Sequence, residues 1–226
     1  GLLEMDFPDN TVITQYTEPM KGSASRMAAL TGQLLAYAKG GKYEIKTLCF
    51  TDFIRKKLPL IQHGIDSDIR IEMDLPPDPL NIKADPTQIH MVLSAVIINA
   101  AEAIKGRGRI RVSIEDVILD RTSGESVKIK PGAYVKLTIE DNGRGMDAEA
   151  RKKIYDPFYS TKFTGRGLGM AAAYGIVQNH HGMILVDSGK GTGTSVHIYL
   201  PAAGKIRPEP ESRDAVPVRG NGTILV

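Results

Sequence analysis

Two glycine-rich turns with charged neighbours are the residues of this chain best suited to chemistry. They read Asp-Asn-Gly-Arg-Gly at 141–145 and Gly-Arg-Gly-Leu-Gly at 165–169, and Gly-Thr-Gly-Thr follows at 191–194. Glycine lets the backbone approach a ligand closely, and N–H groups at a helix start suit phosphate. A dinucleotide fingerprint would need glycine where Met170 stands, and no Gly-Lys-Ser/Thr P-loop ending occurs. The turns therefore indicate a nucleotide site of another type.

Asp141 follows an apolar run over residues 134–140 that has the composition of a strand. A carboxylate at that place can accept a hydrogen bond from the exocyclic amine of a base. Gly143 and Gly145 would let the backbone pass close to the ring without steric conflict. An Asx turn, in which Asp141 caps its own loop, is the structural alternative. The pattern predicts a base pocket at the end of this strand.

Asn99 lies within an apolar helix predicted over residues 87–104. An amide is costly there unless it has partners, and its carbonyl oxygen is a fitting ligand for Mg²⁺. A hydrogen bond to a neighbouring helix is the alternative. We expect Asn99 to hold the metal ion.

Gly167 and Gly169 open a helix predicted over residues 168–180. Their N–H groups and the positive end of the helix would face phosphates. Lys162 and Arg166 supply positive charge beside them, unless they belong to a solvated loop. The sequence thus predicts a phosphate site at this helix start.

The segment between the two turns, residues 155–165, has the features of a lid. It precedes the predicted phosphate site and contains one large apolar side chain near its start, Phe158. We expect Phe158 to be the apolar anchor of a lid that orders when nucleotide binds.

Five ordered motifs carry a resemblance to the sensor histidine kinases, members of the GHKL superfamily that also holds DNA gyrase and MutL-type ATPases. The resemblance covers roughly residues 45–203. The matching segments are the N box at 99–103, the G1 box at 141–145, Pro157-Phe158 with Lys162 as the F box, the G2 box at 165–169, and the last glycine box at 191–194.

The resemblance implies an α+β fold, a two-layer α/β sandwich of the Bergerat ATP-binding type with helices on one face of a mixed sheet. It implies ATP and Mg²⁺ as cofactors and transfer of the γ-phosphoryl group to a histidine in two-component signalling. Asn99 and Lys162 would be catalytic, Asn99 would hold the metal, and Thr194 would support Asp141 through its hydroxyl or an ordered water. The implied nucleotide contacts are Asn99, Ala103, Asp141, Gly143, Gly145, Met146, Phe158, Lys162, Arg166, Gly167, Leu168, Gly169 and Thr194.

One departure from the family pattern concerns Ala95, four residues before Asn99. Hydrolysing relatives place a Glu there as general base, so the water-activating role is vacant in this chain. Glu102 could act as an acid or base, but helix solvation or a lid contact is the preferred interpretation. A GHKL-type ATPase and a non-catalytic nucleotide-binding signalling module remain the alternatives, and a serine kinase of the same fold stays open.

The composition favours a soluble cytoplasmic piece without nucleic-acid or membrane contacts of its own, and a parent protein anchored in a membrane elsewhere stays open. The net charge is only +3, and Lys105, Arg107, Arg109 and Arg111 are interpreted as the solvated face of one strand. The one cysteine, Cys49, cannot form a disulfide within the chain, which suits a reducing compartment. No apolar run approaches the roughly 20 residues of a membrane span.

The periodicity of apolar residues predicts five strands and four helices in the ATP-binding region, residues 43–203. The polar loop over residues 121–132 indicates that the strands on either side of it are antiparallel. The predicted strands are Arg70–Met73, Ile110–Val117, Tyr134–Glu140, Met183–Asp187 and Ser195–Leu200. The predicted helices are Thr51–Ile61, Thr87–Ile104, Ala148–Ile154 and Leu168–His180.

Residues 1–42 are interpreted as a partial dimerisation hairpin. Its second helix would run from Pro19, as the first helical residue, to Ala38. Leu2–Met5 would be the stub of the first helix, and Phe7–Glu18 the connection. The implied partners are the kinase's own dimerisation helices, with a homodimer in the full-length protein.

Residues 204–226 are interpreted as a linker and the start of a receiver domain. The chain becomes rich in proline after Leu200, and the apolar run at 222–226 resembles the first strand of a response-regulator receiver. A tail with no fixed place is the alternative. A hybrid kinase is the expected parent.

The histidines give no phosphoacceptor and no metal site. No histidine precedes His63, so the acceptor is expected upstream and the chain is expected not to phosphorylate itself. His180 and His181 precede Gly182 at a predicted helix end, where an imidazolium would favour the helix dipole and the glycine would be the C-cap. His90 and His197 show no ligand spacing.

Overall fold

A computed structural model of the chain describes residues 12–13, 15–21, 44–119, 130–159 and 167–204. Between residues 44 and 204 the described residues form a mixed α/β domain, which confirms the predicted fold class. The elements in chain order are β1 Lys46–Cys49, α1 Phe50–Gln62, β2 Ile69–Asp74, β3 Asn81–Ala84, α2 Pro86–Ala103, β4 Gly108–Leu119, β5 Gly132–Asp141, α3 Ala148–Lys153, α4 Gly169–Asn179, β6 Met183–Gly189 and β7 Gly193–Pro201.

The main sheet has five strands in the order β2-β4-β5-β7-β6. β2 and β4 are parallel, and the other neighbours are antiparallel, including the predicted pair β4 and β5. The register places Asp141, the last residue of β5, opposite Thr194 on β7. Both residues therefore lie at the same edge of the sheet.

Strand β5 shows how the sheet divides into a core face and a polar face. Val135, Leu137 and Ile139 are buried, while Lys136 and Glu140 between and after them are more exposed. Alternate residues of a strand point to opposite faces, so the three apolar side chains share one face. They belong to one hydrophobic cluster with buried residues of the helices, among them Val92, Val96, Ile97, Ala173, Ile176 and Val177.

Helix α2 begins where the sequence supplies its capping residues. The Asp85 carboxylate accepts hydrogen bonds from the N–H groups of Thr87 and Gln88 at 2.7 and 3.1 Å, and Pro86 is the first helical residue. An N-cap carboxylate satisfies donors that have no partner in the helix, and proline lacks one of them. The cap fixes the start of the helix that carries Asn99.

A second, two-stranded sheet of β1 and β3 was absent from the sequence prediction. Each strand has four residues, too few for an alternation to be recognised. Ala202 forms an isolated antiparallel bridge with Ile82 of β3, and Ala203 N–H donates to Asn81 O at 2.8 Å. Ala202 and Ala203 are therefore paired within the domain, although the chain becomes rich in proline after Leu200.

The described part of the N-terminal segment corrects the predicted helix start. Residues 12–13 and 15–18 are already helical, so Pro19 lies inside a helix rather than at its first position, and part of the predicted connection is helical. Proline removes one helical hydrogen bond, whose acceptor would be the carbonyl of residue 15. Residue 15 is exposed, so water can solvate that carbonyl.

The remaining expectations concern the basic residues near β4 and three segments outside the described residues. Arg109 and Arg111 are exposed residues of β4, as predicted, whereas Lys105 and Arg107 precede the strand and lie in its loop. The helix expected over residues 22–38, the stub at 2–5 and the receiver-like run at 222–226 lie outside the described residues.

Candidate nucleotide-binding site

Asp141 closes the turn that follows β5. Its Oδ1 accepts a hydrogen bond from Gly143 N–H at 2.8 Å, so the Asx turn is realised in the structure. An ionised carboxylate has about four acceptor positions and donates no hydrogen bond. The turn and a contact to a ligand amine are therefore compatible at this residue.

The turn after Asp141 is docked on the C-terminal end of α2. Arg144 N–H donates to Ala103 O at 3.0 Å, and a Cβ added at Gly143 would lie 2.7 Å from the same carbonyl oxygen. Only glycine fits so close to backbone. The first glycine of the turn is thus required by contact with the helix that carries Asn99.

The second glycine of this turn, Gly145, faces the β6–β7 hairpin. Its φ is +62°, and an added Cβ would lie 1.9 Å from Gly189 O. On the other side of the same contact, Gly193 has φ +83° and its Cβ would lie 2.0 Å from Asp141 O. The turn is consequently held between α2 and the hairpin. Gly145 and Gly193 are both needed there, because a Cβ on either would collide with the backbone that faces it.

Thr194 lies directly opposite Asp141 in the β5–β7 ladder. Side chains of directly opposed residues share a face of the sheet. The Thr194 hydroxyl oxygen is 3.0 Å from Ser188 Oγ. The threonine that the family resemblance places in support of Asp141 is therefore its cross-strand neighbour, with a serine on its other side.

Ser188 is a residue of the site that the sequence reasoning missed. Its Oγ accepts a hydrogen bond from Met146 N–H at 2.9 Å and donates to Gly193 O at 2.9 Å. The sequence signal was a hydroxyl residue just before the last glycine box. Its partners come from two separate segments, the turn at Met146 and the start of β7, so no local spacing reveals them together.

Ala95, Asn99 and Ala103 follow one another at four-residue steps along one face of α2. Ala103 contacts the turn after Asp141, as described above, and a Cβ added at Gly169 would lie 3.6 Å from the Ala95 Cβ. The half-buried Asn99 therefore stands between the Asp141 turn and the start of α4.

The start of α4 presents backbone N–H groups that no N-cap side chain covers. Leu168 is its N-cap residue and provides no side-chain cap, so the first N–H groups of the helix have no side-chain acceptor at that residue. Gly167 has φ +63°, and its Cβ would lie 2.4 Å from Phe158 C. Uncapped N–H groups and the helix dipole favour an anion at such a position.

Phe158, the expected apolar anchor of the lid, lies on the surface in the structure. Its residue is 71% exposed, and its φ is +66°, which is uncommon for a bulky residue. The backbone explains the position, because Phe158 N–H donates a hydrogen bond to Gly167 O at 3.0 Å. Lys162 and Arg166 lie outside the described residues.

The histidines at the end of α4 also differ from the prediction. His180 is 2% exposed, and burial lowers the pKa of its imidazole, so it is neutral rather than an imidazolium at a helix end. His181 has φ +57° and takes the left-handed cap position expected of Gly182. The next position, 182, still requires glycine, because a Cβ there would lie 2.3 Å from Tyr199 O.

The described residues contain no group of three or more His, Cys, Asp or Glu side chains placed to hold a metal ion. A Mg²⁺ site on a phosphate ligand needs only one or two protein oxygens. The amide of Asn99 fits this requirement. No helix in the described part of the chain is long and apolar enough to cross a membrane.

Fold and site together define a nucleotide-binding domain in which helices cover one face of a mixed sheet and glycine turns line one edge. Residues 84–204 match the family described as histidine kinase-, DNA gyrase B-, and HSP90-like ATPase. This is more than half of the chain, and the chain belongs to that family.

The similar proteins are sensor histidine kinases. The chain is 32% identical over 185 residues to the sensor kinase CckA of Brucella abortus, covering 80% of this chain and 20% of that protein. It is 30% identical over 188 residues to the sensor histidine kinase ZraS of Escherichia coli, covering 83% of this chain and 37% of that protein. The mycobacterial sensor histidine kinase MprB has a similar solved structure, with a TM-score of 0.57 and 26% identity over 70% of this chain and 98% of that one. The chain thus spans only a fifth to two fifths of the curated relatives' length.

Proposed function

We propose that this chain binds Mg²⁺-ATP and is the catalytic part of a sensor histidine kinase that transfers the γ-phosphoryl group to a histidine. The observation that carries the proposal is the placement of Asn99 on α2. It stands between Asp141, an acceptor suited to a base, and the backbone N–H groups at the start of α4, which suit phosphates. One helix face therefore runs from the proposed base site to the proposed phosphate site.

Each residue has a defined task in this proposal. Asp141 accepts a hydrogen bond from the adenine amine, and Gly143 and Gly145 let its turn pack against α2 and the β6–β7 hairpin. Asn99 presents its amide oxygen to Mg²⁺, and the N–H groups of α4 hold phosphate oxygens. Lys162 and Arg166 add positive charge from the lid.

Bound ATP supplies the phosphoryl group, and Mg²⁺ neutralises charge on its phosphates. The chain's own contribution is positioning and electrostatic stabilisation, because phosphoryl transfer needs little covalent chemistry from the protein. The acceptor histidine is on the dimerisation helices, with a response-regulator receiver as the next partner. The reaction belongs in the cytoplasm, where ATP is available and one unpaired cysteine is kept reduced.

ATP hydrolysis is the second candidate, and the structure favours it less. The α2 position nearest the start of α4 is Ala95, which has no group able to activate water. A module that binds nucleotide without transfer is the third candidate.

Calorimetry with ATP and GTP tests the nucleotide assignment. Loss of a hydrogen bond to a charged group costs about 1.5–3 kcal/mol, so Asp141→Ala is expected to weaken ATP at least about tenfold. Asp116→Ala is the matched control, because Asp116 is an exposed carboxylate on β4. Equal ATP and GTP affinity in the unaltered chain would refute the assignment.

Incubation with labelled Mg²⁺-ATP and a separately supplied histidine-bearing hairpin tests the transfer. The expected product is an acid-labile, base-stable phosphoramidate on the hairpin and none on this chain. Release of phosphate without labelling would favour the ATPase, and binding without either product would favour the non-catalytic module.

A further inference from the structure

Ser188, at the end of β6, has more hydrogen-bond partners than its single hydroxyl hydrogen can serve. Met146 N–H, at 2.9 Å, can only donate to Ser188 Oγ. The carbonyl oxygen of Gly193, also at 2.9 Å, can only accept from it. Thr194 Oγ1, at 3.0 Å, could in principle do either.

The directions of these three bonds follow from counting. A serine hydroxyl has one hydrogen and two acceptor lone pairs. Gly193 O takes the hydrogen, and Met146 N–H takes one lone pair. The contact with Thr194 is satisfied only if Thr194 donates its own hydroxyl hydrogen into the remaining lone pair of Ser188.

A threonine hydroxyl that has given its hydrogen to Ser188 can only accept from any other group. Its cross-strand neighbour Asp141 is likewise an acceptor when ionised. The two side chains share one face of the sheet, so this edge of the site presents acceptors and no hydroxyl donor.

We propose that Ser188 is a specificity-determining positioning residue, which fixes the Thr194 hydroxyl as an acceptor and so selects a purine with an amine at position 6 over one with an oxo group. The inference rests on the proposed function, because it concerns the base of the same nucleotide. Adenine donates from its 6-amino group, whereas a 6-oxo group accepts and would face two acceptors. A site built for a donor rejects its replacement because buried polar groups are left unpaired.

ATP and ITP are the probes, since hypoxanthine lacks the 2-amino group of guanine and differs from adenine only in its 6-oxo group and the hydrogen on N1. Calorimetry with each nucleotide in Mg²⁺ gives the ratio of the two dissociation constants for the unaltered chain, Ser188→Ala and Ser195→Ala. In Ser188→Ala the Thr194 hydroxyl is released and can donate to a 6-oxo group. The ITP-to-ATP ratio of dissociation constants is expected to fall by roughly three- to tenfold, the worth of one neutral hydrogen bond.

Ser195→Ala is the matched control, because Ser195 is the next residue on β7 and its side chain points to the opposite face of the sheet. It is expected to leave the ratio unchanged. Ser188→Cys retains the side-chain shape with weaker hydrogen bonds, so it provides a second test with the same expected direction if Ser188→Ala fails to fold. Thr194→Val should abolish the effect of Ser188→Ala on the ratio, since the two side chains act through one bond.

The outcomes separate this inference from the proposed function. Failure of the unaltered chain to bind ATP would overturn both. Equal binding of ATP and ITP would overturn the inference and the assignment of Asp141 to the base, but not phosphoryl transfer. A chain that prefers ATP but loses ATP and ITP affinity equally in Ser188→Ala would overturn the inference alone, because Ser188 would then only hold the Met146 loop. An unchanged ratio in a folded Ser188→Ala variant would do the same.

Discussion

Asp85 N–H donates a hydrogen bond to Nε2 of His180 at 3.0 Å, joining the cap of α2 to the end of α4. His180 Nδ1 lies 2.8 Å from Ile176 O, which can only accept, so Nδ1 carries the hydrogen and Nε2 is the acceptor. The imidazole is thereby fixed as one neutral tautomer. This buried bond links the two helices that carry the proposed nucleotide contacts.

Protonation of His180 would place an N–H on Nε2 against the N–H of Asp85. Burial lowers the pKa of this imidazole, and the Ile176 carbonyl and Asp85 carboxylate offset that only in part. A lowered folded-state pKa means that the unfolded chain binds more protons, so stability rises with pH. The contribution of the neutral His180 to the free energy of unfolding is complete above about pH 6.5, the pKa of an unfolded histidine. It is lost as the pH falls from there toward the lower pKa of the folded state. Urea unfolding from pH 5 to 8 measures this slope.

The His180→Gln variant isolates this residue from other histidines. His90 and His197 also have a pKa lowered by burial and contribute to the same window. Glutamine retains an acceptor without titrating, so the slope should become shallower and not vanish. An identical slope in parent and variant would contradict the assignment of His180.

Asp85→Ala is expected to destabilise the domain by roughly 2 kcal/mol, since it removes a helix cap and a third bond. The third bond is accepted by Oδ2 from Glu44 N–H, at 2.8 Å. Asp147→Ala is the control, because Asp147 caps α3 through one bond, to Ala150 N–H at 2.8 Å, and should cost about 1 kcal/mol. Urea midpoints compare the two, and equal losses would argue against the role of the Glu44 bond.

Ionisation of the Asp85 carboxyl also makes the free energy of unfolding depend on pH in the acid range. Burial opposes its ionisation, but the N–H groups of Glu44, Gln88 and Thr87 overcome that and hold its pKa below the ordinary value. Its contribution is therefore present above about pH 4 and lost as the pH falls through the lower folded-state pKa. Asp85→Ala should lack this acid-dependent loss when unfolding is measured between pH 2 and 5.

Gly145→Ala is expected to disrupt the turn and abolish ATP binding, because its Cβ would lie 1.9 Å from Gly189 O. Gly191 is the matched control. It also has a positive φ, +82°, but a Cβ there would meet nothing within 4 Å. Gly191→Ala should cost only the left-handed backbone term, about 1–2 kcal/mol, and retain ATP binding. Equal loss of ATP affinity in both variants would show that the close approach at Gly145 is unimportant.

Asn99→Ala is expected to remove most of the Mg²⁺ dependence of ATP binding. A lost ligand to a charged centre corresponds to roughly tenfold or more in affinity. Titrations of ATP in Mg²⁺ and in EDTA measure the difference for each variant. Asn99→Asp keeps an oxygen ligand and should retain the dependence, and a parent chain whose ATP affinity ignores Mg²⁺ would refute the assignment of Asn99.

The order of the glycine turns, the apolar strand before Asp141 and the apolar helix around Asn99 were set by local sequence. Each follows from a period of 2 or 3.6 residues or from the conformational freedom of glycine, so no knowledge of distant contacts was needed. The five strands of the main sheet and the four helices α1–α4 were predicted for this reason. The short strands β1 and β3 were missed because four residues show no period.

Tertiary structure decided which groups became partners. His180 is neutral because it is buried against Asp85, and Ser188 meets Met146 and Thr194 because β6, β7 and the turn converge. Phe158 is exposed, although its large apolar side chain suggested that it would anchor the lid. Burial and hydrogen-bond direction depend on segments far apart in the chain, and local periodicity carries no information about them.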